Sequence, residues 1–211
     1  MMSDNLLLFI AAGVLLNLTP GPDVVYIVTN ALRNGFRAGA VAAVGIVAGC
    51  FVHILGAAIG IGALIAASAT LFTVLKYVGA AYLVYLGLRM LWSAKPAALA
   101  EGAAPFLSLR QIFWRGFATN ALNPKVALFF LAFVPQFISP GAENKVLAFI
   151  VLGLIFNFNS IFVNLGWAAA AASLAAHAKP LRGFMHWIER AAGLLFISFG
   201  VKLATSSLSR G

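Results

Sequence analysis

Residues 17–30 read NLTPGPDVVYIVTN, and their reading decides how the chain is folded. Pro20 and Pro22 bracket Gly21 and Asp23 follows, yet the flanks, LLLFIAAGVLL before and VVYIV after, belong to a lipid-facing helix. Proline lacks a backbone donor and clashes with the preceding turn, so the pair ends one helix and frees carbonyls near Asn17 and Leu18. In hydrocarbon each unpaired group costs several kcal/mol, and such breaks survive only where protein or a water-filled cavity supplies partners. A cavity is the expected reason for this one. A new helix starts at about Pro22, with Asp23 in its first turn, where the positive end of the dipole favours a carboxylate.

Composition supplies the solvent. With 63% hydrophobic and 9% charged residues over 211 positions, and a mean hydropathy of +1.00, a water-facing surface cannot be assembled. The expected fold is an all-α membrane protein. Apolar runs of spanning length are found at about residues 6–28, 39–66, 71–92, 116–138, 146–172 and 187–206, which makes six transmembrane helices. The N-terminus, MMSDNLLLF, has no basic n-region, so no secretory signal is expected and the first span stays. The single cysteine, Cys50, excludes an internal disulfide and a dithiol pair, and suits a small packing residue.

The net charge of +9 is explained by topology rather than by nucleic acid. Arg33 and Arg37, then Arg89, Lys95, Arg110 and Arg115, then Lys179, Arg182 and Arg190 fall on one side; Lys76, Lys145, Lys202 and Arg210 fall on the other. The positive-inside rule puts the first set in the cytoplasm and both chain ends outside.

A connection at about residues 93–115 divides a single membrane domain (1–211) into two halves, approximately 1–92 and 116–206. Three spans per half imply that the second is inserted upside down. Two landmarks support such a repeat: Pro20 in NLTPGP and Pro124 in NALNPK each interrupt the first span of a half, and Gly87 in YLGLRML and Gly200 in SFGVKLA each stand two residues before a cation. The expected architecture is therefore two inverted three-helix repeats, with the first helix of each half broken at proline. If the breaks meet, Pro20, Gly21, Pro22 and Asp23 face Asn123, Pro124 and Lys125, and one site holds a carboxylate and an amine. That pair suits a zwitterion: Asp23 for an ammonium, Lys125 or free N–H groups of a half-helix for a carboxylate. A structural salt bridge between the two is the alternative.

TPGPD in the first span, GAAYLVYLGLRML in the third, NPKVALFFLAFVPQFI in the fourth and ERAAGLLFISFGVKLA in the last, taken together, resemble the LysE/RhtB family of amino-acid exporters over nearly the whole chain. The resemblance implies a bacterial plasma-membrane protein that moves amino acids or related metabolites out of the cytoplasm, driven by the proton gradient and assembled as a homo-oligomer. It also implies that Asp23 and the prolines of TPGPD, with Asn123, Pro124 and Lys125, are the motif residues. The substrate is left open.

Other polar positions extend the expected path. Asn157, Ser160 and Asn164 share a helix face and serve either substrate or helix-to-helix bonding. Tyr26 stands three residues beyond Asp23 on the same face. Gly45, Gly49, His53, Gly56 and Gly60 form a stripe whose glycines suit packing, and His53 is either a proton relay or a neutral donor to a carbonyl. An enzyme is not expected: HExxH, CxxC, GxSxG and a phosphate loop are all missing, and of the five acidic residues only Asp23 lies deep in a span. No cofactor or metal site is expected. A metal-ion exporter would want more His, Cys or carboxylate ligands, and a membrane scaffold would leave the twin breaks without a purpose. Alternating access by rocking of the halves follows, with a proton on Asp23 exchanged for the substrate ammonium.

Overall fold

The computed structural model describes residues 6–67, 107–139 and 141–173, with individual positions between 74 and 92 and between 190 and 205. The linker expected at 93–115 lies outside the described residues as far as 106, and the third and sixth spans are described only at individual positions. The described residues are helical almost throughout: α1 (Leu6–Leu18), α2 (Pro22–Ala67), α3 (Leu109–Ala121), α4 (Pro124–Leu128) and α5 (Lys145–Ser173). Two helices, Pro22–Gly60 and Lys145–Ser173, are long and apolar enough to cross a bilayer. The pair Leu109–Ala121 and Pro124–Phe137, bent by 45°, makes a third candidate span. The chain is a membrane protein.

Helix α2 is not one straight rod. At 1.5 Å per residue its length would be about twice the ~30 Å hydrocarbon core. Gly35 breaks it with φ 77° and ψ 178°, a conformation that only glycine adopts readily. A Cβ at Gly39 would lie 2.6 Å from the Ala31 Cβ, whereas residues eight apart on a straight helix are separated by about 12 Å. The chain therefore folds back at Gly35, and residues 22–34 and 36–67 pack together through Val24, Ile27, Ala31, Ala38, Ala42 and Ile46.

Helix α3 starts at Leu109, ahead of the apolar run beginning near 116. Ser108 Oγ accepts from Gln111 N, and the Gln111 side chain accepts from Ser108 N, a reciprocal cap that fixes the start where hydropathy gives no signal. Beyond α4 the helix widens to a π turn at Phe129–Phe133 and tightens to a 3-10 turn at Val134–Phe137. Pro135 lacks the donor an α-helix needs there. Around these turns Phe9, Phe129, Phe130, Phe133, Phe137, Phe149 and Phe156 form one buried cluster that also contains Cys50. Phe129 stacks on Phe133 at 4.9 Å, and Phe9 meets Phe137 edge-on at 5.2 Å.

The glycine stripe of α2 divides. A Cβ at Gly45 or Gly49 would run into the carbonyl oxygen of Phe113 or Phe117 on α3, while Gly56 and Gly60 have nothing within 4 Å among the described residues. Among the described residues the first half of the stripe is a packing seam. Elsewhere, a Cβ at Gly87 would lie 2.5 Å from Gly193 O and one at Gly200 2.8 Å from Ala80 O, so the segments that carry these glycines run antiparallel.

Candidate functional site

The two proline breaks meet, and each supplies what the other lacks. The last α-helical bond of α1 runs from Thr19 N to Leu15 O at 3.0 Å, and the first of α2 from Val25 N to Gly21 O at 2.9 Å. Pro20 has no N–H for Leu16 O, and Thr19 O precedes the new helix, so these two carbonyls are released. Both are taken by Lys125: Nζ donates to Leu16 O at 3.1 Å and to Thr19 O at 3.2 Å. The sequence reading placed the freed carbonyls near Asn17 and Leu18 and expected a cavity there; Lys125 instead bonds the carbonyls of Leu16 and Thr19 on either side of that pair, at the negative end of α1. Gly21 makes room for it, since a Cβ there would stand 3.2 Å from Nζ.

The reverse contact comes from Asp23, which is 8% exposed. Its Oδ2 accepts from Asn120 Nδ2 at 2.9 Å and from Asn123 Nδ2 at 3.0 Å. A carboxylate only accepts, which fixes the orientation of both amides. Asn123 has a second duty: as N-cap of α4 its Oδ1 accepts from Lys125 N at 3.0 Å. One side chain thus starts α4, aims Lys125 at α1 and holds Asp23. Among the described residues no ion pair within 4.0 Å joins Asp23 to Lys125, although the ammonium is close enough to act on the carboxylate electrostatically. Both charges are held by neutral dipoles of the opposite break.

His53 Nε2 lies 2.7 Å from Asn120 O; a carbonyl accepts, so this nitrogen carries the proton and donates. His53 thereby steadies the residue that holds Asp23. Tyr26 OH donates to Ile112 O at 2.9 Å, tying α2 to α3, and makes no bond to Asp23. On α5, Asn157, Ser160 and Asn164 are all buried. Asn157 Nδ2 donates to Val47 O at 3.2 Å and Asn164 Nδ2 to Ser160 Oγ at 3.0 Å. Of the residues singled out from sequence, the structure brings together Asp23, Asn123, Lys125 and the prolines, with His53 one residue removed; Tyr26 and the α5 stripe bond elsewhere.

Sequence reasoning missed Asn120 and Thr19. Asn120 sits three residues before Asn123 in TNALNPK, one helical turn back, and that spacing was the available signal. Two buried polar atoms of this cluster, Asp23 Oδ1 and Asn120 Oδ1, have no hydrogen-bond partner among the described residues; Asn17 Nδ2 on α1, and Asn157 Oδ1 and Trp167 Nε1 on α5, are likewise unpartnered. Such orphans are rare in a folded interior and call for an occupant. Among the described residues no three His, Cys, Asp or Glu side chains come together.

Residues 14–207 match the model of the LysE type translocator family. A membrane protein of Pseudomonas aeruginosa is 34% identical over 206 residues, 95% of each chain. The homoserine/homoserine lactone efflux protein of Salmonella typhi is 31% identical over 198 residues, 94% of this chain and 95% of that one. The leucine efflux protein of an Enterobacter species is 29% identical over 204 residues, 95% of each. No solved structure matches the chain. Spanning helices, two breaks that complete one another and a match over nearly the full length place this chain in the LysE type translocator family, whose members are transporters and not enzymes.

Proposed function

We propose that this protein exports amino acids or related small metabolites from the bacterial cytoplasm, by alternating access coupled to proton antiport. Leucine and homoserine, named for relatives at about 30% identity, are the first substrates to try. The observation that carries the proposal is the exchange between the breaks, with Lys125 on the carbonyls of α1 and Asp23 in the amides of Asn120 and Asn123.

In this reading six helices form two inverted repeats, both chain ends face outward, and the crossing of the breaks is the closed centre of the pathway. The antiparallel packing near Gly87 and Gly193 supports inversion. Each half holds a charge of the other, so neither break opens alone; rocking of the halves separates both contacts together. Coupling rests on Asp23 Oδ1, the carboxylate oxygen that no described residue bonds. It takes either a proton or a substrate ammonium, and one oxygen cannot take both, which makes exchange the natural stoichiometry. Asn123 and Lys125 complete the site, and the Asn157, Ser160 and Asn164 stripe lines the approach to it.

The test is efflux from proteoliposomes loaded with labelled leucine or homoserine under an imposed pH gradient. Asp23→Asn, close in shape and neutral, is expected to abolish substrate-driven proton movement while the protein still folds. Unaltered coupled export by that variant would remove Asp23 from the mechanism.

A further inference from the structure

We infer that the site selects its cargo by a primary ammonium group and is indifferent to whether the other end carries a charge. This rests on the export reading and narrows it to a recognition rule. It also departs from the sequence expectation of a zwitterion held at both ends.

The two charges at the crossing are not equivalent. Asp23 keeps one carboxylate oxygen unpartnered, and Asn120 Oδ1, on the residue that donates to Asp23 Oδ2, is unpartnered too. Two neighbouring side chains thus offer acceptors with no donor to fill them. An ammonium carries three N–H donors and a positive charge, and it satisfies both at once.

Lys125 offers no matching place for a carboxylate. Two of its three N–H bonds are committed to Leu16 O and Thr19 O. A carboxylate brought to the third would lie beside these two carbonyl oxygens, acceptor against acceptor, at the negative end of α1. In the closed crossing, freeing the lysine for cargo would orphan the carbonyls it now holds. Among the described residues the buried donors left unpartnered are neutral: Trp167 Nε1 on α5 and, in the last turn of α1, Asn17 Nδ2. An amide donor bonds a neutral carbonyl oxygen as readily as it finds one on an acid, so a carboxamide serves it.

The experiment measures binding to the purified full-length protein in detergent at pH 7, by titrated thermal stabilisation, for leucine and homoserine and for the carboxamide and N-acetyl derivative of each. Efflux of the two free amino acids from proteoliposomes runs in parallel. The carboxamide is expected to bind within about threefold of the acid. The N-acetyl derivative, which loses the charge-assisted bonds of the amine, is expected to bind about tenfold to a hundredfold more weakly. A free acid that is bound and exported while its carboxamide binds more than tenfold more weakly overturns this inference and leaves the export reading standing. Equal binding of the N-acetyl derivative overturns it as well. Neither binding nor efflux with either amino acid overturns both.

Discussion

Gly49→Ala and Gly56→Ala add the same methyl group to the same helix, in the same sequence stripe, and are expected to behave oppositely. At Gly49 a Cβ would run into Phe117 O and lie 3.1 Å from Asn120 Cβ and 3.2 Å from Ala121 N. Two of those atoms are backbone, so no side chain can turn aside. A carbon keeps about 3.3 Å from a carbonyl oxygen, so α2 and α3 must separate by roughly 1 Å. That displacement acts directly on the residue between them. The 2.9 Å bond from Asn120 to Asp23 and the 2.7 Å bond from His53 to Asn120 O both stretch beyond useful length. Overpacking costs about 1–3 kcal/mol and two weakened bonds add about 1 kcal/mol each. The midpoint of thermal unfolding should then fall by about 6–20 °C for a chain of this size. At Gly56 no described residue lies within 4 Å, and the better helix propensity of alanine should leave stability unchanged or raise it by up to about 1 kcal/mol. Thermal unfolding of both variants in one detergent, with leucine and homoserine efflux in proteoliposomes, reads the two effects. Equal melting and equal transport in the pair would refute the claim that the α2–α3 seam positions the Asp23 clamp.

Lys125→Met should destabilise the protein by about 2–4 kcal/mol, because two charge-assisted bonds vanish and two carbonyls at the end of α1 lose their partner; a melting curve that superimposes on the parent's would contradict this. Gly35→Ala forces a side chain into φ 77°, at a cost of about 1–3 kcal/mol, and should appear as a lower midpoint and poor yield of folded protein. Tyr26→Phe cuts one bond between α2 and α3 and should cost about 1 kcal/mol in the same melting assay. A change in substrate KM larger than tenfold in that variant would instead place the Tyr26 hydroxyl on the substrate.

Much of the molecule was legible in composition and punctuation. Apolar run length gave the start of α5, expected at about 146 and found at Lys145, because a span needs an apolar run of fixed length and little else. Proline chemistry gave both breaks, since a missing donor is a property of the residue itself. Local signals of weaker kind were passed over. The Ser108–Gln111 cap set the start of α3 in a stretch that hydropathy treats as linker, and Gly35 was not read as the reversal point.

The partners of the breaks were a matter for tertiary structure. Proline at 20 dictates that a carbonyl is freed; only packing decides that Lys125, more than a hundred residues away in sequence, reaches it. The glycine stripe shows the same division, because of four glycines alike in pattern only Gly45 and Gly49 meet α3, which is laid against one end of the helix. Sequence by itself determined the solvent, the helices and where they fracture, all set by residues within a turn of one another. Which charge each fracture holds was decided by the fold, because a hydrogen bond depends on a few ångströms between elements whose approach no local pattern encodes.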